Sequence, residues 1–122
     1  MKSNKLTYGQ SLSLGQSMRS FDGRFTFTFQ SDGNLVHKDA QGTVLWTSNT
    51  AGLQAKSAHM QGDGNFVLYT TIEPTVGAAV WATNTGGRPG GSVFLLVQDD
   101  GNVVLYDSNG VIPLWATNTG GR

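Results

Sequence analysis

The chain has 122 residues and no cysteine, and its eight Lys and Arg balance eight Asp and Glu, so its formal charge at pH 7 is zero. The absence of cysteine excludes disulfides, thiolate catalysis and cysteine-bound zinc, and the absence of any Lys or Arg run argues against a nucleic-acid or anionic-membrane surface. The length fits one domain with its own core, and 17 glycines with few charges indicate many tight turns and a polar, neutral surface.

The N-terminal segment MKSNKLTYGQ lacks the apolar stretch of a signal peptide. No stretch of the chain approaches the roughly 18 apolar residues of a membrane helix. We therefore expect no membrane insertion, and a location that is cytoplasmic or reached by an export route not visible in the sequence. The segment LTYGQSLSL is expected to form a strand that closes the fold.

The first hairpin is predicted around residues 24–38. The run RFTFTFQ alternates strictly between Phe on one face and Thr or Gln on the other, which is typical of a half-buried strand. Asp-Gly follows, the strongest short signal for a hairpin turn. After the turn Asn34, Val36 and Lys38 are expected to share the outer face, and Leu35 and His37 the inner one.

The segment after Gln30 is one copy of a repeated unit. QSDGNLVHK at 30–38 returns as QGDGNFVLY at 61–69 and QDDGNVVLY at 98–106. Each copy precedes a tryptophan run: LWTSNT, VWATNTGGR or LWATNTGGR. The chain is thus interpreted as a single domain of three repeats, roughly 17–50, 51–85 and 86–119, closed by residues 1–16. One repeat cannot bury its apolar face alone, so we expect about twelve strands around an axis, with Trp46, Trp81 and Trp115 at the shared centre.

The second and third copies each carry a distinguishing feature. Residues 70–80 of the second copy include Pro74 and Gly77 and are predicted to form a loop that begins beside Tyr69 and walls its unit. In the third copy, alternation across SVFLLVQ places Val93, Leu95 and Val97 inward, and leaves Phe94 and Leu96 outward. An apolar pair on an outer face indicates a covered surface: a homodimer interface, or packing under a neighbouring loop.

The repeated unit has the chemistry of a sugar site. Asp accepts hydrogen bonds, Asn and Gln donate and accept, Tyr does both through its hydroxyl, and an outward Val offers a small apolar floor. Turn chemistry alone explains the Asp, Gly and Asn, but not the Gln, Val or Tyr. Nothing in the unit is nucleophilic or able to move protons in pairs, and no paired carboxylates occur in a common context, so we expect neither enzymatic activity nor a cofactor. His37 and His59 are interpreted as structural.

The pattern Gln-x-Asp-x-Asn-x-Val-x-Tyr, repeated with Trp-Ala-x-Asn-Thr between, resembles the monocot mannose-binding lectins, also called bulb-type or snowdrop-type lectins. The resemblance covers essentially the whole chain. It implies an all-β, β-prism II fold: three four-stranded antiparallel sheets around a pseudo-threefold axis, with one mannose site per sheet. It also implies dimerisation by exchange of C-terminal strands. Because the chain has no cysteine, it resembles a non-plant or cysteine-free member of this family.

The resemblance also assigns roles within the units. Asp63 and Asn65 would bind the axial 2-hydroxyl of mannose, Gln61 the 3-hydroxyl, Tyr69 the 4-hydroxyl, and Val67 the ring carbons. The same roles fall on the matching residues of the third copy, Gln98, Asp100, Asn102, Val104 and Tyr106. Every expected contact is direct, so no metal is expected.

The first copy, made of Gln30, Asp32, Asn34, Val36 and Lys38, is expected to be a degenerate site. Lys has no acceptor and a flexible stem, whereas Tyr is rigid and both donates and accepts. His37, where the other copies have an inward Leu, is expected to loosen the strand further.

Two alternatives to a lectin remain open at this point. Asp-Gly-Asn turns occur in calcium-binding repeats, but the EF-hand pattern needs a Glu at its twelfth position and more acidic residues than these turns have. A protein-interaction module on the same fold with reduced sugar binding is the second alternative, against which the two intact units argue.

Overall fold

The computed structural model describes residues 4–87, 93–107 and 112–122. Residues 1–3 of the predicted closing segment, Arg88 of the second tryptophan run and Ser92 before Phe94 lie outside the described residues. Over the described ranges the secondary structure consists of twelve strands and no helix, so nothing there could cross a membrane as a helix. The strands are β1 Lys5–Thr7, β2 Ser11–Ser13, β3 Ser17–Arg19, β4 Thr26–Phe29, β5 Leu35–Lys38, β6 Val44–Thr47, β7 Ser57–Met60, β8 Phe66–Tyr69, β9 Ala79–Ala82, β10 Phe94–Val97, β11 Val103–Tyr106 and β12 Pro113–Ala116.

The strands form three antiparallel four-stranded sheets, which confirms the predicted β-prism II fold. Their orders are β3-β4-β5-β6, β2-β7-β8-β9 and β1-β10-β11-β12. Three strands of each sheet are consecutive in the chain, and the fourth comes from the N-terminal segment. That segment was predicted to supply one closing strand. It instead supplies β1 and β2 to two different sheets, because the turn at residues 8–10 redirects the chain between them.

Alternation along the strands builds the core. Phe27 and Phe29 are completely buried while Thr26 and Thr28 between them are partly exposed, as the sequence predicted. The inward residues of all three sheets meet in one cluster, which also includes Leu6, Leu12, Met18, Phe66, Leu68, Leu95 and Leu105. Burying each such side chain stabilises the fold by about 1.5–3 kcal/mol.

The three tryptophans meet at the shared centre, as predicted. The ring centroids of Trp46, Trp81 and Trp115 lie 5.4 to 5.8 Å apart, and every pair is edge-to-face. This is the geometry that aromatic quadrupoles favour. The three side chains are partly rather than fully buried, because they stand on β6, β9 and β12, the last strand of each sheet.

His37 is fully buried, and the expected loosening of its strand is not what the structure shows. Its Nδ1 lies 3.0 Å from the carbonyl oxygen of Thr26, and its Nε2 lies 2.8 Å from that of Gly101. A carbonyl oxygen only accepts and a neutral imidazole has one N–H, so the ring donates to one of these two carbonyls in either tautomer while it contacts both β4 and the hairpin of the third copy. A leucine at this position could donate to neither.

Candidate carbohydrate-binding sites

Each repeated unit forms a hairpin whose turn is closed by its own Asp. In the second copy Asp63 Oδ1 accepts a hydrogen bond of 3.0 Å from the backbone N–H of Asn65, and Gly64 between them has a φ of 95°. Only glycine adopts this backbone without strain. The same bond closes the turns at 32–34 and 100–102. The turn uses one carboxylate oxygen and leaves Oδ2 for a ligand.

The Asn of each unit is held by the run that follows the tryptophan. Asn65 Oδ1 accepts bonds of 3.2 Å from both Thr83 Oγ1 and the Thr85 backbone N–H, and Thr85 Oγ1 donates to the Gly64 carbonyl at 2.6 Å. The same network surrounds Asn34 with Ser48 and Thr50, and Asn102 with Thr117 and Thr119. These bonds fix the amide and leave its Nδ2 group as the donor to a ligand.

Gln and Tyr are paired in both intact units. Gln61 Nε2 donates to the Tyr69 hydroxyl, and Gln98 Nε2 donates to the Tyr106 hydroxyl. Each pair then presents a glutamine Oε1 acceptor and a tyrosine O–H donor. Lys38 in the first copy has no acceptor for Gln30, so the pair is missing there.

The three valines of the units are not an exposed floor. Val36, Val67 and Val104 are 4%, 3% and 3% exposed. None of the three belongs to the core cluster, which agrees with the outer face that alternation predicts, but each is almost fully buried and offers a ligand only a small apolar surface. The prediction of their face was right and that of their exposure was wrong.

A small residue beside each Asp distinguishes the copies, and the sequence interpretation missed it. A Cβ at Gly86 would lie 3.1 Å from Asp63 Oδ2, and one at Gly120 would lie 3.5 Å from Asp100 Oδ2. The first copy has Ala51 at this position, five residues after its tryptophan. The sequence does show this difference: the second and third copies have TNTGG after the tryptophan, and the first copy has SNTAG. Only the structure shows that the missing Cβ leaves room at a carboxylate.

The surroundings of the second unit come from the loop of residues 70–78. Ser57 Oγ donates to the Thr71 carbonyl at 2.6 Å, and His59 Nε2 lies 3.0 Å from the Ile72 carbonyl. The loop therefore lies against the face of β7 that stands next to Tyr69. It is two residues shorter than predicted, because β9 already begins at Ala79.

The outward apolar pair of the third copy is partly covered from within the chain. The Phe94 ring lies 5.7 Å from the Tyr106 ring, and Lys5 Nζ lies 4.6 Å from the Phe94 centroid. Leu96 is paired with Lys5 across β1 and β10. The cover comes from the neighbouring strand β1 and from Tyr106, so the homodimer interface and the covering loop both stay predictions.

One charged pair, Arg24 with Asp22, lies close to the third hairpin. Arg24 lowers the pKa of Asp22 from 3.8 to about 2, chiefly through its side-chain hydrogen bond. The Asp22 N–H also donates to Asp99 Oδ1 at 3.0 Å, which supports the third hairpin beside Asp100. No group of three or more His, Cys, Asp or Glu suited to a metal occurs in the part of the chain that the structure describes.

Comparison with known proteins gives a consistent result. No model of a known protein family matches the chain. It is 37% identical over 84 residues to a mannose-specific lectin of Aloe arborescens, covering 68% of this chain and 72% of that protein. It is 35% identical over 102 residues to the B-type lectin plumieribetin of Scorpaena plumieri, covering 84% of this chain and 85% of that one.

Solved structures agree over nearly the whole chain. A monomeric monocot mannose-binding lectin of Gastrodia elata is 36% identical with a TM-score of 0.81, covering 96% of this chain and 98% of that one. The snowdrop (Galanthus nivalis) agglutinin bound to methyl α-D-mannoside is 38% identical with a TM-score of 0.73, over 85% and 89%. A domain-swapped lectin dimer of Mycobacterium smegmatis is 43% identical with a TM-score of 0.52, over 91% and 95%.

Fold, repeated hairpins and relatives together define a β-prism lectin domain. The chain belongs to the monocot mannose-binding, or bulb-type, lectin family.

Proposed function

We propose that this protein is a metal-independent lectin that binds mannose or mannose-containing glycans at its second and third units. The observation that carries the proposal is that, within each unit, one oxygen of the Asp and the oxygen of the Asn hold the fold while their other polar atoms face a ligand. Asp63 Oδ1 and Asn65 Oδ1 are occupied by bonds within the chain, which leaves a carboxylate acceptor beside an amide donor. One sugar hydroxyl can donate to the first and accept from the second.

The remaining groups extend this recognition across a pyranose. Gln61 Oε1 and the Tyr69 hydroxyl supply a further acceptor and donor from one bonded pair. The buried Val67 touches the ring carbons through its small exposed surface. Gln98, Asp100, Asn102, Val104 and Tyr106 repeat the set in the third unit. The sugar is held entirely by hydrogen bonds and apolar contact, so no cation is required.

Binding without catalysis is part of the proposal. Nε2 of His37 and Nε2 of His59 each lie within hydrogen-bonding distance of a backbone carbonyl, so both rings take part in holding the fold. The relatives are named as lectins. We take residues 1–122 as one such domain whose first unit is impaired by Lys38 and Ala51.

The test is a titration of the chain with methyl α-mannoside, followed by amide NMR signals of each hairpin. We expect two sites with dissociation constants near 1 mM, about −4 kcal/mol each. Asp63→Asn should abolish the shifts of the second hairpin alone, and Asp100→Asn those of the third alone. Methyl α-glucoside, which differs at the 2-hydroxyl, is the matched ligand control. A chain that ignores both sugars would be a protein-interaction module on the same fold.

A homodimer formed by exchange of C-terminal strands is a second part of the proposal. It is supported by the swapped dimer of the Mycobacterium smegmatis lectin. Here β12 pairs with β11 of its own chain, with Leu105 opposite Trp115, and a partner's β12 could take the same register. Joining sites in this way raises avidity for a multivalent glycan by about 10²–10⁴. A single mass of one chain by light scattering at high micromolar concentration would refute it.

A further inference from the structure

A surface cleft of about 550 Å³ adjoins the second site. It shares Gln61 with that site and runs from it toward the loop of residues 70–78. Its walls include the polar or aromatic side chains of Tyr8, Ser11, His59, Gln61 and Glu73, together with the aliphatic ring of Pro74. This volume lies within the roughly 300–1,000 Å³ of clefts that hold small ligands.

One wall of the cleft is the turn between β1 and β2. Backbone bonds fix the turn to the end of β7: the Gly9 N–H donates to the Met60 carbonyl at 2.8 Å, and the Met60 N–H donates to the Gln10 carbonyl at 3.0 Å. The Tyr8 ring lies against Gly62 of the second hairpin, where an added Cβ would be 3.6 Å from it. Tyr8 is nevertheless 55% exposed, so its ring offers an accessible aromatic surface.

The opposite wall is the inserted loop. The bonds of Ser57 and His59 to the Thr71 and Ile72 carbonyls hold its first half on β7. Thr71 Oγ1 then donates to the Glu73 carbonyl at 2.6 Å, which tightens the loop and places Glu73 and its neighbour on the cleft. The loop is therefore held in place as a wall of the cleft by its own hydrogen bonds.

The chemistry of these walls suits a hexose. A carbonyl oxygen can only accept, so the contact with the Ile72 carbonyl needs the proton on His59 Nε2, and in that neutral tautomer Nδ1 is an acceptor. Glu73 adds a carboxylate acceptor, Ser11 a hydroxyl that donates or accepts, and Tyr8 an apolar ring face. Hydroxyl groups around a ring with C–H faces match this combination.

The cleft is particular to the second site. His59 stands opposite Val67 in the β7–β8 pair, and the residues opposite the equivalent valines are Thr28 in the first copy and Leu96 in the third. The inserted loop also belongs to the second copy alone. The intact third site has Phe94 and Lys5 in its surroundings instead.

We propose that this cleft is a subsite for a second pyranose unit, belonging to a glycan whose terminal mannose occupies the second site. The inference rests on the proposed function of that site. It makes the two intact sites unequal: the third reads a terminal sugar, and the second reads a terminal sugar together with its neighbour. The inserted loop is what creates this difference.

The experiment compares methyl α-mannoside with mannobioses of different linkage, each titrated while amide signals of the two hairpins are followed separately. We expect at least one mannobiose to bind the second site about ten-fold more tightly than the monosaccharide, equal to about 1.4 kcal/mol. The third site should show little gain. Tyr8→Ala and Glu73→Gln should each remove much of the gain, and leave the affinity of the second site for methyl α-mannoside unchanged.

Val76→Ser is the matched control, because Val76 is fully exposed on the same loop and does not line the cleft. It should preserve the gain. Equal gains at the two sites, or a gain that survives Tyr8→Ala combined with Glu73→Gln, would overturn the subsite while the lectin assignment stands. Failure of methyl α-mannoside to bind the second site would overturn the proposed function, and the subsite with it.

Discussion

Restoring the first site is the sharpest test of how these hairpins hold a sugar. We predict that Lys38→Tyr together with Ala51→Gly gives the chain a third mannose site. The tyrosine would receive the Gln30 amide as in the other copies. The glycine would clear the space beside Asp32, because its counterpart Gly86 leaves no room for a Cβ at ordinary distance.

The magnitude follows from the geometry of the second copy. A Cβ at Gly86 would lie 3.1 Å from Asp63 Oδ2, closer than ordinary van der Waals contact, so the carboxylate would have to shift. A hydrogen bond to a charged group is worth about 1.5–3 kcal/mol, and one to a neutral hydroxyl about 1 kcal/mol. Losing both weakens a site by about fifty-fold or more, which moves a millimolar site to tens of millimolar.

The assay is the same amide-resolved titration with methyl α-mannoside, performed on each single variant and on the double variant. Gly86→Ala is the reciprocal change, and it should weaken the second site about ten-fold. The third site of the same molecule then serves as the internal control. Neither Gly86 nor Gly120 has a positive φ, so alanine adds a methyl group without backbone strain. A double variant with a silent first hairpin, or a Gly86→Ala chain that binds like the parent, would refute the reasoning.

The remaining predictions use the same protein. Mannose binding should survive excess EDTA, and loss of binding that calcium restores would contradict direct contact. Asn34→Ala should lower the free energy of unfolding by about 1–3 kcal/mol, because the Ser48 hydroxyl and the Thr50 backbone N–H lose their acceptor. Sugar binding at the other two hairpins should stay unchanged. His37→Leu removes the polar contact of the ring with the Gly101 carbonyl and should weaken the third site a few-fold without affecting the second; equal affinities before and after would show that this contact does not position the hairpin. Because Arg24 lowers the pKa of Asp22 to about 2, the stabilisation by this pair is complete above about pH 4 and is lost as the pH falls toward 2; melting temperatures of the parent and Asp22→Asn should converge across that range.

Much of the fold could be predicted from the sequence because its signals are local. Alternation in RFTFTFQ fixes which side chains of β4 face the core, and Asp-Gly fixes the turn that follows. Alternation gives the face of a residue but not its depth. Val67 alternates with the core residues Phe66 and Leu68 and is not part of their cluster, yet it is only 3% exposed.

The parts that escaped prediction are those that depend on other repeats or other strands. The inward position of His37 was readable, but its partner Gly101 belongs to a different copy. The polar run TNT at 83–85 gives no local sign that it donates hydrogen bonds to Asn65, because those bonds form only when β9 pairs with β8. Ala51 differs from glycine by one methyl group, and this difference matters for binding only because the equivalent glycine lies beside a carboxylate.

The distribution of the N-terminal strands sets an order in which the molecule can assemble. Met18 pairs with Phe27 soon after in the chain, Leu12 pairs with Ala58, and Leu6 pairs with Leu95. During synthesis from the N-terminus, the sheet of β3–β6 can close first, and the sheet that contains β1 must wait for the last third of the chain. Until then β1 and β2 present unpaired edges that invite pairing with another nascent chain. The N-terminal strands β1 and β2 are thus synthesised before the strands that they pair with, and β1 is the last of them to be paired.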